Sequence, residues 1–173
     1  MANGASTDPR GPLPIAPSRL GTQAHRAVIA QLCRYLGALA LLGVGFDHVQ
    51  QYSVDSYSAI PTIGTLFALN FASALVVAMG LVAPLQRLSR RWSRALLTLL
   101  AAGGAGIALG SFAGLEVSET TGLFGFMESG YRAAVVLSIV LDAATVVFLS
   151  VFLVAGRRGR PAGANLPPGR PRH

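Results

Sequence analysis

At 173 residues, with 52% hydrophobic and 12% charged side chains and a mean hydropathy of +0.54, the chain is too apolar for an ordinary soluble domain. Four spans of about 20 residues each would use roughly 80 of them, which leaves tails and short connections and no room for a soluble catalytic module. The net charge of +7 would suggest nucleic acid in a soluble protein, but here the arginines flank apolar stretches, so lipid and membrane orientation explain them and no nucleic-acid partner is expected.

Residues 1–26 read as a disordered tail, because the prolines at 9, 12, 14 and 17 favour extended backbone. They do not read as a conventional signal peptide, and the first span is expected to act as its own insertion signal. That span is placed at residues 27–49. Gln31 and Arg34 lie in its first turns, where Arg34 can snorkel to headgroups, and Asp47 and His48 close it. The lone cysteine, Cys33, excludes an internal disulfide and reads as a buried thiol. Residues 50–59 form a connection whose Tyr52 and Tyr57 suit an interfacial belt. The second span starts at Ile60-Pro61-Thr62 and stops before Pro84. Arg87, Arg90, Arg91 and Arg94, around Trp92, make the next loop strongly basic.

The third span, residues 95–115, is rich in small residues. Gly106, Gly110 and Gly114 repeat at the small-xxx-small spacing that lets helix backbones approach, inside the bundle or, alternatively, at a dimer face. Residues 116–130 carry Glu116, Glu119 and Glu128 together with an apolar run at 122–127 that is expected to dip into the interface. The fourth span covers residues 131–155, and an Arg-, Pro- and Gly-containing tail follows from residue 156, also read as disordered. Thirteen of the fourteen arginines fall in the two tails with the first-span entry and in the loop between the second and third spans. Because basic residues are retained in the cytoplasm, both termini are expected there, in a cell (inner) membrane.

The expected fold is therefore all-α: a four-helix transmembrane bundle over residues 27–155 between two tails. A faint repeat supports two related hairpins. Leu69-Asn70-Phe71-Ala72-Ser73 parallels Leu141-Asp142-Ala143-Ala144-Thr145, at matched depth in the second and fourth spans, and Gly45-Phe46-Asp47 parallels Gly114-Leu115-Glu116.

Asp142 is the sharpest chemical feature, since a carboxylate in mid-span costs about 2.5–3.5 kcal/mol on insertion scales. It reads either as a proton relay or ion site, or as a neutral acid that hydrogen-bonds Asn70, Ser73, Ser138 or Thr145 and faces the second span. Asp47, His48, Glu116, Glu119 and Glu128 gather at the other candidate site, at the outer ends of the spans. One histidine with carboxylates is a poor transition-metal set, and a solvated acidic rim is the plainer expectation, with a hard-cation or ligand sensor as its functional counterpart. Neither a cofactor nor enzymatic activity is expected. The partners expected are the lipid bilayer and a membrane protein or a second copy.

The segment from His48 to Asn70, with Tyr57, Ile60-Pro61-Thr62-Ile63-Gly64, Leu66-Phe67 and Leu69-Asn70, resembles uncharacterised four-span integral membrane proteins of bacteria. Gly122-Leu123-Phe124-Gly125-Phe126 resembles the same group, and the likeness covers about residues 30 to 155. The size and four-span plan are also similar to DoxX-like membrane proteins, on architecture alone. The resemblance implies fold and location and assigns no activity. The residues themselves leave three roles open: a structural or accessory membrane component, a small proton-coupled transporter or redox accessory using Asp142, and an outer-face sensor.

Overall fold

The computed structural model describes residues 18–54, 59, 61–85, 89–122 and 133–157. Four helices run through them: α1 (Ser18–Ser53), α2 (Pro61–Val82), α3 (Arg90–Thr120) and α4 (Ala133–Arg157). There is no strand among the described residues. Each helix is long and apolar enough to cross a membrane, so the chain is a multi-pass membrane protein built as an all-α bundle.

The helix bounds differ from the sequence expectation at two places, for the same reason. No proline occurs between Pro17 and Pro61, so nothing stops α1 from starting at Ser18, within the segment expected to be tail, and continuing to Ser53. Likewise α3 extends past its apolar window to Thr120 and takes Glu116 and Glu119 into the helix. Polarity marks where a span leaves the apolar layer; it does not end a helix. The other parts of the two tails, the apolar run at 123–127 and Glu128 lie outside the described residues.

The helices form a four-cornered ring in chain order. α1 packs extensively on α4 and α2, α3 packs on α4 and more lightly on α2, and α1 and α3 meet only narrowly. α2 and α4 stand at opposite corners without close approach. At 1.5 Å per residue α1 is about 54 Å long and α2 about 33 Å. The surplus of α1 projects from the end where the arginines lie, and residues 21–29 of α1 are all exposed.

Glycines set the closest approaches. A methyl group on Gly37 would meet Leu149 Cδ2 at 2.5 Å, and one on Gly43 would meet Leu141 Cδ2 at 2.8 Å, so the α1–α4 seam tolerates no side chain there. At Gly104 all four helices converge: a methyl would meet Leu149 at 2.8 Å, Leu41 at 3.0 Å and Val77 at 3.4 Å. Leu149, Leu41, Ala38, Ala78, Leu81 and Ala101 form the fully buried core around this point. Large apolar side chains such as Val76, Leu99 and Val147 face outward, as a lipid-contacting surface requires.

The glycine spacing at 106, 110 and 114 does not bring α3 against another helix of the same chain. A methyl on Gly103, Gly106, Gly110 or Gly114 would meet nothing within 4 Å. α2 and α3 touch in the arginine half, where a methyl on Gly80 would reach Leu100 at 2.9 Å, and they separate in the other half.

Gly104→Val should lower bundle stability by about 1–3 kcal/mol through overpacking. Gly103→Ala, in open space on the same helix, should raise it by about 0.5–1 kcal/mol through helix propensity. Thermal unfolding of the two variants in detergent checks this: equal effects would mean that Gly104 is not the convergence point.

Candidate functional site

The polar interior lies in the half of the bundle away from the arginines, and α1 and α4 supply most of it. The buried positions of α1 fall at helical spacing on the face turned to α4 and α3: Leu41, Val44, Asp47 or His48, and Gln51. Asp47 is 3% exposed and His48 is 8% exposed. The expectation of a solvated acidic rim therefore fails for these two residues, because α1 runs a further turn and a half beyond them. They sit inside the bundle.

Asp47 is well satisfied. Its Oδ2 accepts from Gln51 Nε2 at 2.6 Å, one turn along α1, and from Ser138 Oγ of α4 at 2.9 Å. The Ser138 bond links the two most extensively packed helices at their polar end. His48 turns its Nδ1 to the Val44 carbonyl at 2.9 Å. A carbonyl only accepts, so Nδ1 carries the proton, and in the neutral ring Nε2 is an acceptor. The Ser111 hydroxyl of α3 lies 3.4 Å from Nε2, a long contact, and the Phe67 ring of α2 packs at 4.9 Å between centroids.

Asp142 faces the interior, as expected, at 2% exposure. Its expected partners are not there. Thr145 donates to the Leu141 carbonyl in its own helix, Ser138 donates to Asp47, and Asn70 and Ser73 stand on α2 at the opposite corner. Among the described residues neither carboxylate oxygen of Asp142 has a hydrogen-bond partner, and neither has Asn70 Oδ1. Asp47 and Ser111 are the polar neighbours that act on the Asp142 carboxyl, without a well-formed bond to it. Ser73 is exposed on α2.

Of the glutamates, Glu116 and Glu119 are half-buried near the end of α3, and Glu119 Oε1 is buried without a partner. No three His, Cys, Asp or Glu side chains among the described residues converge on a point where a metal ion would sit. Arg34, midway along α1, is 5% exposed. It donates from Nη2 to the Tyr35 hydroxyl at 3.1 Å and lies 4.7 Å from that ring's centroid. Cys33 is buried and unpaired.

Where α2 and α3 separate there is a cavity of about 360 Å³. His48, Gln51, Asn70, Ser111 and Ser138 give it polar walls, and Phe67, Leu69, Ile107, Leu115 and Val135 give it apolar ones. Gly106, Gly110 and Gly114 form its flat side along α3. Volume, apolar lining and a few convergent polar groups are the attributes of a small-molecule site. Of these wall residues the sequence singles out His48, Asn70, Ser73 and Ser138, but not Gln51 or Ser111. Serines are frequent in spans, and only the tertiary arrangement selects these.

No protein-family model matches the chain, and no curated protein or solved structure matches it.

The Asp47–Ser138 bond should show as coupling. Asp47→Asn with Ser138→Ala should give an interaction energy of about 1–2 kcal/mol in a double-mutant cycle of detergent unfolding. Asn70→Leu with Asp142→Leu should be additive within about 0.5 kcal/mol, because the two helices stand at opposite corners. Strong coupling in the second cycle and none in the first would reverse this assignment of the polar centre.

Proposed function

We propose that this protein is an accessory component of the cell membrane that holds a small membrane-dissolved molecule inside its bundle, without catalysing a reaction. The observation that carries the reading is the cavity of about 360 Å³ between α2 and α3, with hydrogen-bonding groups at one side and leucine, isoleucine and phenylalanine at the other. A bundle serving only as a scaffold has no use for an unfilled space beside a histidine and an asparagine. The arginine distribution supports an orientation with both termini and the α2–α3 loop in the cytoplasm, so that the cavity lies in the outer half of the bilayer. A partner span or a second copy would pack on the outward apolar faces.

A second reading, proton-coupled movement of the bound molecule, is favoured by Asp142, a carboxyl at 2% exposure with no hydrogen-bond partner among the described residues and Asp47 for a neighbour. The sensor reading is weaker: His48 and Asp47 spend their hydrogen bonds inside the bundle, and Glu119 stands on another helix.

The test is cavity filling. A methyl at Gly110 meets nothing within 4 Å, so Gly110→Leu grows into the empty space without displacing a core side chain. Organic extracts of wild type and Gly110→Leu purified in mild detergent, compared by mass spectrometry, should differ by loss of one small molecule from the variant. Identical extracts would remove the cavity from the function. For orientation, in a Cys33→Ser background, an impermeant thiol reagent should label a cysteine at Thr120 in intact cells and spare one at Ser93; the opposite pattern would invert the bundle.

A further inference from the structure

We infer that the cavity takes a neutral, hydroxyl-bearing apolar molecule that enters sideways from the bilayer between α2 and α3, with its hydroxyl donating to His48 Nε2 and its apolar part lying along the Gly106–Gly110–Gly114 face. The inference rests on the ligand-holding reading above and specifies the ligand's chemistry.

The hydrogen-bond inventory of the polar wall fixes the donor sense. His48 Nδ1 is committed to the Val44 carbonyl, so Nε2 is the accepting end of a ring that lines the cavity. Ser111 touches it only at 3.4 Å, which leaves room for a better donor. The Asn70 amide adds a buried oxygen with no partner among the described residues. These two acceptors are satisfied by a ligand that donates; a ligand that only accepts leaves the Asn70 oxygen unpaired, at a cost of about a hydrogen bond.

The charge inventory fixes neutrality. Among the described residues no arginine or lysine lines the cavity, so a phosphate or carboxylate head would be buried against them without a counter-ion. Neither Asp47, whose Oδ2 turns to Gln51 and Ser138, nor Asp142 lines the cavity, so among the described residues no carboxyl stands on its wall to pair with an ammonium group. The shape fixes the route. Leu66 and Leu69 on α2 are 42% and 58% exposed although they line the cavity, and Gly106 and Gly110 opposite them on α3 are exposed as well. The opening therefore faces the lipid side, framed by apolar side chains and bare backbone.

The experiment uses the full chain in detergent micelles with four probes of one chain length: an n-alkanol, its methyl ether, the fatty acid and the alkylamine. Binding is read from the ¹⁵N resonance of His48 Nε2, assigned against His48→Gln. The alkanol should shift that resonance saturably and bind about tenfold more tightly than the ether, the worth of one hydrogen bond. Gly110→Leu should weaken alkanol binding at least about tenfold while melting at the wild-type temperature; should it fail to fold, Gly106→Leu takes its place. Equal binding of ether and alkanol overturns the donor requirement, preference for the acid or amine overturns neutrality, and alkanol binding unchanged in the glycine variants overturns the α2–α3 location. If no probe binds and wild-type and variant extracts are identical, the ligand-holding reading itself falls. If a molecule is lost from the variant's extract but the alkanol does not bind, only the present inference does.

Discussion

The arrangement depends on one point of contact. At Gly104 the side chains of Leu149, Leu41 and Val77 come together, one from each of the other helices, in the space that a methyl group would need. In a bilayer the apolar side chains gain little by leaving lipid for protein, so a bundle is held by dispersion where surfaces fit closely. The glycine is what permits the fit. Leu149 also fills the notch at Gly37, so the same side chain joins α4 to α1 and to α3. The convergence lies in the arginine half, where the short connection between α2 and α3 holds those two helices together.

The opposite half is held differently. There α1 and α4 are joined by Asp47, Gln51 and Ser138, while α2 and α3 diverge over bare glycine backbone. One pair of helices is closed by hydrogen bonds and the other is left open. A hydrogen-bonded carboxylate at one side of a space, and an unpacked backbone at the other, gives that space a polar wall and an apolar mouth. The site thus follows from where the bundle is tight.

The four spans and the basic loops were legible because they depend on composition over windows as long as a helix, and there tertiary context adds little. The ends were less legible. Arg90 and Glu119 are good helix residues, and no proline separates them from the apolar core, so α3 includes them. His48 was placed at a rim because it follows the last long apolar run, yet α1 continues to Ser53 and carries it inward. The Asn70 and Asp142 pairing failed on a different coordinate. Sequence gives depth along a helix but not position around the ring. Two hairpins related by an axis along the bundle carry α2 onto α4, so equivalent residues belong at opposite corners; the repeat that suggested the pair also argued against it. The small-xxx-small spacing was read as packing, but spacing gives only a flat face. Gly104, outside that pattern, packs, whereas Gly106, Gly110 and Gly114 line open space.

An opening of this size would be costly in a soluble core, where each void forfeits dispersion contacts and burial that water enforces. In a membrane the reference is different. Lipid chains or a lipid-soluble molecule can enter a lateral gap and restore most of those contacts, so the gap costs little when occupied. The polar wall has no such substitute, because an acyl chain cannot satisfy His48 Nε2 or Asn70 Oδ1. The apolar side of the cavity is therefore indifferent to what fills it, and the discrimination between occupants falls to Asn70 Oδ1 and to His48 Nε2 with its long Ser111 contact. Asp142 sets a limit on the same principle. It is buried with both oxygens unpartnered among the described residues, and an acyl chain offers them no donor either.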